Sequence, residues 1–361
     1  LSLDPDPTAR MRRLGVRYAV GGSIRMSKHR IRVTVWLADV ETGLQLWAQR
    51  YDGDLTELPL FQEEVARAVA SVIPIEVEQA ELARIRHSPI TDLNAYELYL
   101  RGRDHQRSID PKSHVKAFEC FARAIDREEG FAAAHAEIAL TTFCGGDVHA
   151  NGLPGRHERA IGHGRRAIEL DPGDPQGYWT VGMLLQLERD FPAARLNLER
   201  AVELGPGDAI TLAYTGLEFA YAGEVARGFE QGVASIKLNP YHPPAFCEIM
   251  GKLYFIARRY EDALLWLRQA PDRVMTNRGW LASAAAHAGR HDEAKQHAAR
   301  LRTKLTRYYG LGNLAAMGGP VGYLSGPARF RDDAELDHYR EGLAIAGLEW
   351  TGAAREPLVM M

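Results

Sequence analysis

Apolar and small residues return in phase through most of this chain, and proline marks the period. Glu169-Leu170-Asp171-Pro172, Glu203-Leu204-Gly205-Pro206 and Lys237-Leu238-Asn239-Pro240 set prolines at 172, 206 and 240, two steps of 34 residues. Proline has no N–H with which to continue a helix, and it drives the residue before it away from helical geometry. Each of these prolines therefore closes a helix. Between them, Tyr178, Val181, Gly182 and Leu185 keep the three-to-four spacing of one helix face, and Ala194, Leu198 and Ala201 that of a second. The small residues Gly182, Ala194 and Ala201 fall where two antiparallel helices must approach closely. The pattern returns at Leu212, Gly216, Phe219 and Gly228, and then at Gly251, Tyr254, Ala263, Leu267 and Ala270. It returns again at Trp280, Leu281, Ala285 and Ala294, with Ala288-Gly289-Arg290 as the turn. Earlier copies are less regular: Ala117, Phe121 and Ala124 read as one helix, and His135, Ile138 and Ala139 pair with Ala160 and Ala167 across a long loop at 144–155. About six helix pairs are expected in all, within residues 89–309.

Residues 1–88 follow a different rhythm. Thr8 to Leu14 reads as a short helix. Tyr18 to Met26, Ile31 to Ala38 and Leu44 to Tyr51 read as strands, turning at Ser27-Lys28-His29 and Glu41-Thr42-Gly43. Ile31, Val33, Val35 and Leu37 alternate with Arg32, Thr34, Trp36 and Ala38, the period of two that a strand imposes. An amphipathic helix follows from Leu55 to Ile73, interrupted by Pro74. Three strands and a helix make a small core. Because the chain also begins at Leu1, further elements are expected upstream. Residues 310–361 read as a Gly-rich linker followed by a helix from Ala334 to Ala346, with Asp332 or Asp333 as N-cap and Gly347 as the stop.

The 34-residue period is that of tetratricopeptide (TPR) repeats. Leu14-Gly15-Val16-Arg17-Tyr18-Ala19-Val20-Gly21-Gly22-Ser23-Ile24-Arg25 is one stretch that resembles the second half of a TolB-like domain. The run Leu37-Ala38-Asp39-Val40-Glu41-Thr42-Gly43, Leu46-Trp47-Ala48 and Arg50-Tyr51-Asp52 is another. That domain precedes TPR arrays in bacterial class III adenylate/guanylate cyclases and in winged-helix transcriptional regulators. Phe330-Arg331-Asp332, Glu341-Gly342-Leu343 and Ala346-Gly347-Leu348 resemble the carboxyl end of the cyclase group. The resemblance implies a mainly α chain, a TPR-type α-α superhelix after a small, incomplete α/β domain. It implies the regulatory part of a cyclase, with a winged-helix regulator as the alternative parent. It transfers no catalytic residue, since neither a cyclase motif nor a winged helix is present in the sequence.

Composition narrows the chemistry. With 44 Lys and Arg against 47 Asp and Glu, the net charge of −3 offers no basic surface for nucleic acid. No apolar run approaches the ~18 residues of a membrane span, and no signal peptide is visible. Cys120, Cys144 and Cys247 lie far apart, so reduced thiols in a cytoplasmic protein are expected rather than a disulfide frame or zinc site. His157-Glu158 has Ile161 where a zincin needs its second histidine, and His163 comes too late. His287 and His291 have metal-ligand spacing, but Gly289 and Arg290 form a turn between them. The Gly310-Leu311-Gly312-Asn313-Leu314-Ala315 stretch loosely imitates a dinucleotide fingerprint without the βαβ unit that motif needs, so a linker is expected there. Arg300, Arg302, Lys304 and Arg307 read as a solvated basic face. No metal, cofactor or catalytic residue is assigned, and a free-standing enzyme is the least supported reading.

Stacked helix pairs leave a groove lined by their first helices. Projecting the repeat onto it selects Trp179, Met183, Gln186 and Leu187, then Leu217 and Tyr221, then Glu248, Lys252 and Phe255. Such a lining suits an amphipathic helix or an extended peptide. Lys252, expected to be exposed, has the charge to hold a carboxylate. Trp179 and Phe255 serve equally well as packing between repeats. The partner is a protein or peptide, another domain of the parent, or a second copy of the chain.

Overall fold

The computed structural model describes residues 15–107, 111–144, 156–240, 242–270, 275–316, 319–325 and 329–348. The helix expected at 8–14 and most of the loop at 144–155 lie outside the described residues. The chain divides into two compact units, Leu1–Leu93 with Asn239–His242, and Asn94–Leu238 with Pro243–Met361.

In the first unit, β1 (Tyr18–Ser27), β2 (Arg30–Asp39) and β3 (Gln45–Asp54) form an antiparallel meander in the order β1-β2-β3. Lys28 and His29 make the two-residue connection that puts Ser27 opposite Arg30. The alternation read in the sequence sets the faces: Ile31, Val35 and Leu37 are buried. Helix α1 (Leu58–Ile85) packs on β3, where a Cβ at Gly53 would collide with the Phe61 ring. The expectation that Pro74 interrupts this helix is corrected, because α1 runs through it. The lost backbone hydrogen bond costs roughly 3 kcal/mol, and the turns beyond Pro74 carry contacts that offset it. Ile85 is buried, and Glu81 accepts from the Tyr18 hydroxyl at 2.7 Å and pairs with Arg17 and Arg84.

The second unit is helical. Six antiparallel pairs stand among the described residues: α2 (Ala95–Arg107) with α3 (Pro111–Arg127), α4 (Ala132–Cys144) with α5 (Arg156–Leu170), and α6 (Pro175–Leu187) with α7 (Phe191–Leu204). They continue as α8 (Ala209–Tyr221) with α9 (Val225–Leu238), α10 (Pro244–Ile256) with α11 (Tyr260–Leu267), and α12 (Met275–His287) with α13 (His291–Ala316). This is the TPR-type superhelix expected. Aspartates start the helices: Asp174, Asp190 and Asp208 accept from backbone N–H groups of the first turns of α6, α7 and α8. The small positions do what their spacing required. A Cβ on Gly216 would lie 2.8 Å from the Gly228 carbonyl, so α8 and α9 cross nearly backbone to backbone.

The region after residue 310 is corrected. It is not an irregular linker: α13 continues to Ala316 with a break at Gly310, and α14 (Gly319–Ser325) follows. Residues 311–315 thus lie in helix beyond the break at Gly310, with helix rather than strand before it. The last helix, α15 (Asp333–Ile345), starts at Asp332, whose carboxylate accepts from Ala334 N–H, and stops before Gly347 at φ 83°.

Candidate functional site

The face lined by the first helices carries a segment of the chain itself. Residues 329–348 turn back from the end of the array and run along α8, α10 and α12. At its start, Arg329 is buried and forms a bidentate pair with buried Glu218 of α8, its Nε donating to Oε2 at 2.8 Å. Phe330 stands edge-on to Tyr221 at 4.9 Å between centroids and also faces Trp280. Arg331 N–H donates to the Tyr221 carbonyl at the end of α8, 2.9 Å away. Arg189, just past α6, donates to the carbonyls of Phe330 (2.7 Å) and Arg331 (3.1 Å) and pairs with Asp333. Arg258, just past α10, pairs with Glu335 at 2.9 Å.

Helix α15 then lies on α12. Ser283 donates to the Tyr339 carbonyl at 2.9 Å, and Tyr339 stacks on Trp280 at 4.2 Å and meets Phe255 edge-on. Two glycines allow this approach: a Cβ on Gly342 would strike Ser283 Oγ and His287, and one on Gly279 would meet the Tyr339 hydroxyl. Tyr339 and Leu343 are fully buried, and Arg302 of α13 holds the Gly347 carbonyl at 2.6 Å.

Against this arrangement, the nine residues projected onto the groove divide into three groups. Trp179 and Met183 pack with Leu198, Ala201 and Phe219 inside the array, and Trp179 stacks on Tyr214 at 4.6 Å. Leu187 packs partly buried beside α7. These three are filling between repeats. Gln186 is buried, its amide donating to the Glu218 carbonyl at 3.0 Å while its Oε1 has no hydrogen-bond partner among the described residues. Leu217, Tyr221, Glu248, Lys252 and Phe255 do come together under or beside the tail, but not as an open surface.

The expectation that Lys252 is exposed is corrected. Only 15% of its side chain is accessible, and Nζ pairs with Glu248 one turn back at 2.6 Å. Burial acts to lower the lysine pKa, but Glu248 and Tyr221 outweigh it, and the ammonium is held above its ordinary range. Thr276 adds a hydrogen bond to the same Glu248 oxygen. Spacing placed Lys252 on the correct helix face; Glu248, one turn away, took up its charge.

The histidine expectations also resolve. His287 and His291 do not meet as a pair; Gly289, at φ 75°, turns the chain between them. His287 instead meets His338 of α15, ring on ring at 3.9 Å with planes 18° apart. With Glu341 they form the group of metal-type donors found among the described residues, the ligand atoms lying within 4.8 Å of one another. One nitrogen of each ring is already engaged: His287 Nε2 with the His338 carbonyl at 2.9 Å, and His338 Nε2 with the Tyr260 hydroxyl at 2.8 Å. Imidazole lone pairs lie in the ring plane, so two stacked rings aim theirs side by side rather than at a common point. The cluster is a clasp between tail and array. Burial, with His287 and Arg258 adding to it, pushes His338 down to about 4. Cys120 and Cys247 are buried, and burial pushes the Cys120 thiol up to about 11.

Sequence reasoning missed Arg329, Phe330, Arg189, Glu218 and Tyr339. One signal was present: Phe330, Tyr339, Leu343 and Leu348 give the tail an apolar stripe that a terminal helix in solvent does not need.

Among the described residues, no helix is long and apolar enough to cross a membrane. No family model matches the sequence. Over 193 residues the chain is 33% identical to "Putative adenylate cyclase 3" of Rhizobium meliloti (strain 1021), a stretch covering 53% of this chain and 32% of that protein. The chain thus matches about a third of the length of that curated relative. Among solved structures, the human IFIT1 dimer with m7Gppp-AAAA is similar with a TM-score of 0.51 and 15% identity, covering 72% of this chain and 61% of that one. A thermophilic TPR protein of Thermus thermophilus gives 0.42 and 18%, covering 54% and 98%. At such identities a structural likeness speaks to the fold alone, and the helix pairs described above make this chain a TPR-type helical repeat with a small antiparallel sheet at its amino end.

Proposed function

We propose that this chain is a non-catalytic regulatory module of a bacterial signalling protein of the adenylate cyclase kind, and that it works by holding a protein segment along its first helices. The observation that carries this reading is the seat of residues 329–348. A short extended stretch followed by a helix is gripped there through its main chain by Arg189 and through its side chains by Glu218, Tyr221 and Trp280. Helix-in-groove recognition likewise lays the apolar face of an amphipathic helix into a hydrophobic groove. The cyclase assignment rests on the Rhizobium meliloti match together with the resemblance of the chain's two ends to that group.

Two measurements test it. The purified chain, given ATP or GTP with a divalent cation, is expected to form no cyclic nucleotide, and turnover would overturn the reading. Used as bait, it is expected to retain a defined partner that the Glu218→Gln chain retains less well. Equal recovery by both chains would remove the groove from the function.

A further inference from the structure

We infer that the seat of the tail is a recognition site for a segment on a partner protein. That segment presents an arginine followed at once by an aromatic residue and then a helix with an acidic first turn, and the chain's own residues 329–348 are its resident competitor. The inference rests on the groove being the partner site, and it supplies the chemistry of the partner.

Beside the apolar packing, three features of the seat are those of a reader. The first is the Arg329–Glu218 pair, buried on both sides. A buried ion pair adds little net stability over an apolar pair of the same volume, because desolvation consumes most of the attraction. It does discriminate sharply, since either charge left alone is costly. Glu218 therefore accepts a cation with hydrogen-bond donors and rejects other occupants. The second is Arg189. It adopts φ 62° at the turn between α6 and α7, and Arg258 adopts φ 63° at the equivalent turn between α10 and α11. The corresponding turns after α8 and α12 use Gly223 and Gly289. Left-handed geometry costs a side-chain-bearing residue roughly 1–2 kcal/mol, and both strained arginines spend their guanidinium groups on the tail. Arg189 reads two successive main-chain carbonyls, which any occupant would provide, whereas Arg258 meets Glu335 of the helix's first turn. The third is the aromatic slot of Tyr221 and Trp280, which takes the ring next to the arginine.

A tethered competitor lowers the apparent affinity for any external segment by the fraction of time the seat is empty. The two halves of the ion pair must then have opposite effects on binding in trans, although both removals break the same contact in cis. The probe is a fluorescently labelled synthetic peptide of this chain's residues 327–348, titrated into the full-length chain and followed by anisotropy. Wild type is expected to bind it weakly. Arg329→Ala in the chain is expected to tighten binding by tenfold or more, because the tail is loosened while Glu218 remains. Glu218→Gln is expected to weaken it at least tenfold relative to the Arg329→Ala chain, and so is a probe carrying Arg329→Ala. If Arg329→Ala does not fold, Asp333→Arg with Glu335→Arg loosens the tail through its exposed contacts and must give the same gain. Parallel changes in both variants, or a probe that binds equally with and without its arginine, would overturn the inference. So would a concentration-dependent dimer of the wild-type chain that Glu218→Gln abolishes, since that makes a second copy's tail the occupant. Failure here with partner capture still dependent on Glu218 would leave the groove as the partner site and discard only this recognition chemistry.

Discussion

At the scale of single residues, the informative ones carry charge where charge is expensive. Arg189 pairs an unfavourable backbone with a set of contacts to one segment. Arg189→Gly removes both at once. The array is expected to gain about 1 kcal/mol from the relaxed turn, while amide hydrogen exchange in residues 330–335 speeds up. A stabilised variant whose exchange in residues 330–335 is unchanged or slower would show that Arg189 serves the turn and not the tail. Lys252 gives the opposite lesson. Its charge belongs to Glu248, and the pair lies close to Tyr221 and Trp280. Lys252→Glu sets two carboxylates one turn apart in a mostly buried place and is expected to destabilise the second unit by about 3 kcal/mol. Lys252→Met keeps the aliphatic stem but leaves Glu248 to Thr276 and should cost less. Urea unfolding of the two variants side by side checks the order.

At the scale of elements, α15 is held to α12 by shape and by a titratable clasp. His338 faces His287 of α12, Tyr260 of α11 and Arg258 at the start of that turn, with Glu335 and Glu341 on its own helix. Burial disfavours a proton on His338, and the neighbouring His287 ring and Arg258 add to it. His338 is therefore held at about 4, below the ordinary 6.5. The released tail takes up a proton that the docked tail refuses, so docking is complete above about pH 6.5 and weakens as pH falls toward 4, where the two forms titrate alike. Hydrogen exchange of the α15 amides, measured between pH 7 and 5 and corrected for intrinsic rates, is expected to show this loss. His338→Gln should flatten it, and an unchanged slope in that variant would assign the effect to other groups, His135 and His163 of α4 and α5 among them.

At the scale of the whole molecule, the tail changes how the second unit holds together. A helical-repeat array is nearly one-dimensional: each pair touches its neighbours, and the ends can fray. Residues 329–348 connect the end of α6 with α8, α10, α11 and α12, bridging three pair-to-pair boundaries with side chains of high burial. Phe330→Ala is expected to cost about 3–5 kcal/mol. It should also lower the urea m-value of the second unit, because the last pairs can then open before the rest. An unchanged m-value with a lower midpoint would mean that the array unfolds as one block whatever its tail does.

The helix pairs, their 34-residue step, the cap at Asp332 and the three-stranded meander were legible in the chain, for one reason. Each depends on residues a few positions apart, whose spacing states which face is buried and where a helix starts or stops. The α1 helix across Pro74 and the helical course after residue 310 were not, because local breaker signals there yield to contacts made elsewhere. The site divides in the same way. Periodicity put Tyr221, Glu248, Lys252 and Phe255 on one side of the array. It had no means of showing that Arg329, 111 positions beyond Glu218, returns to cover that side. An ion pair of that separation is written in no local pattern. Tertiary structure alone decides it, when an apolar stripe on the last helix finds the one face where burying it also satisfies a charge.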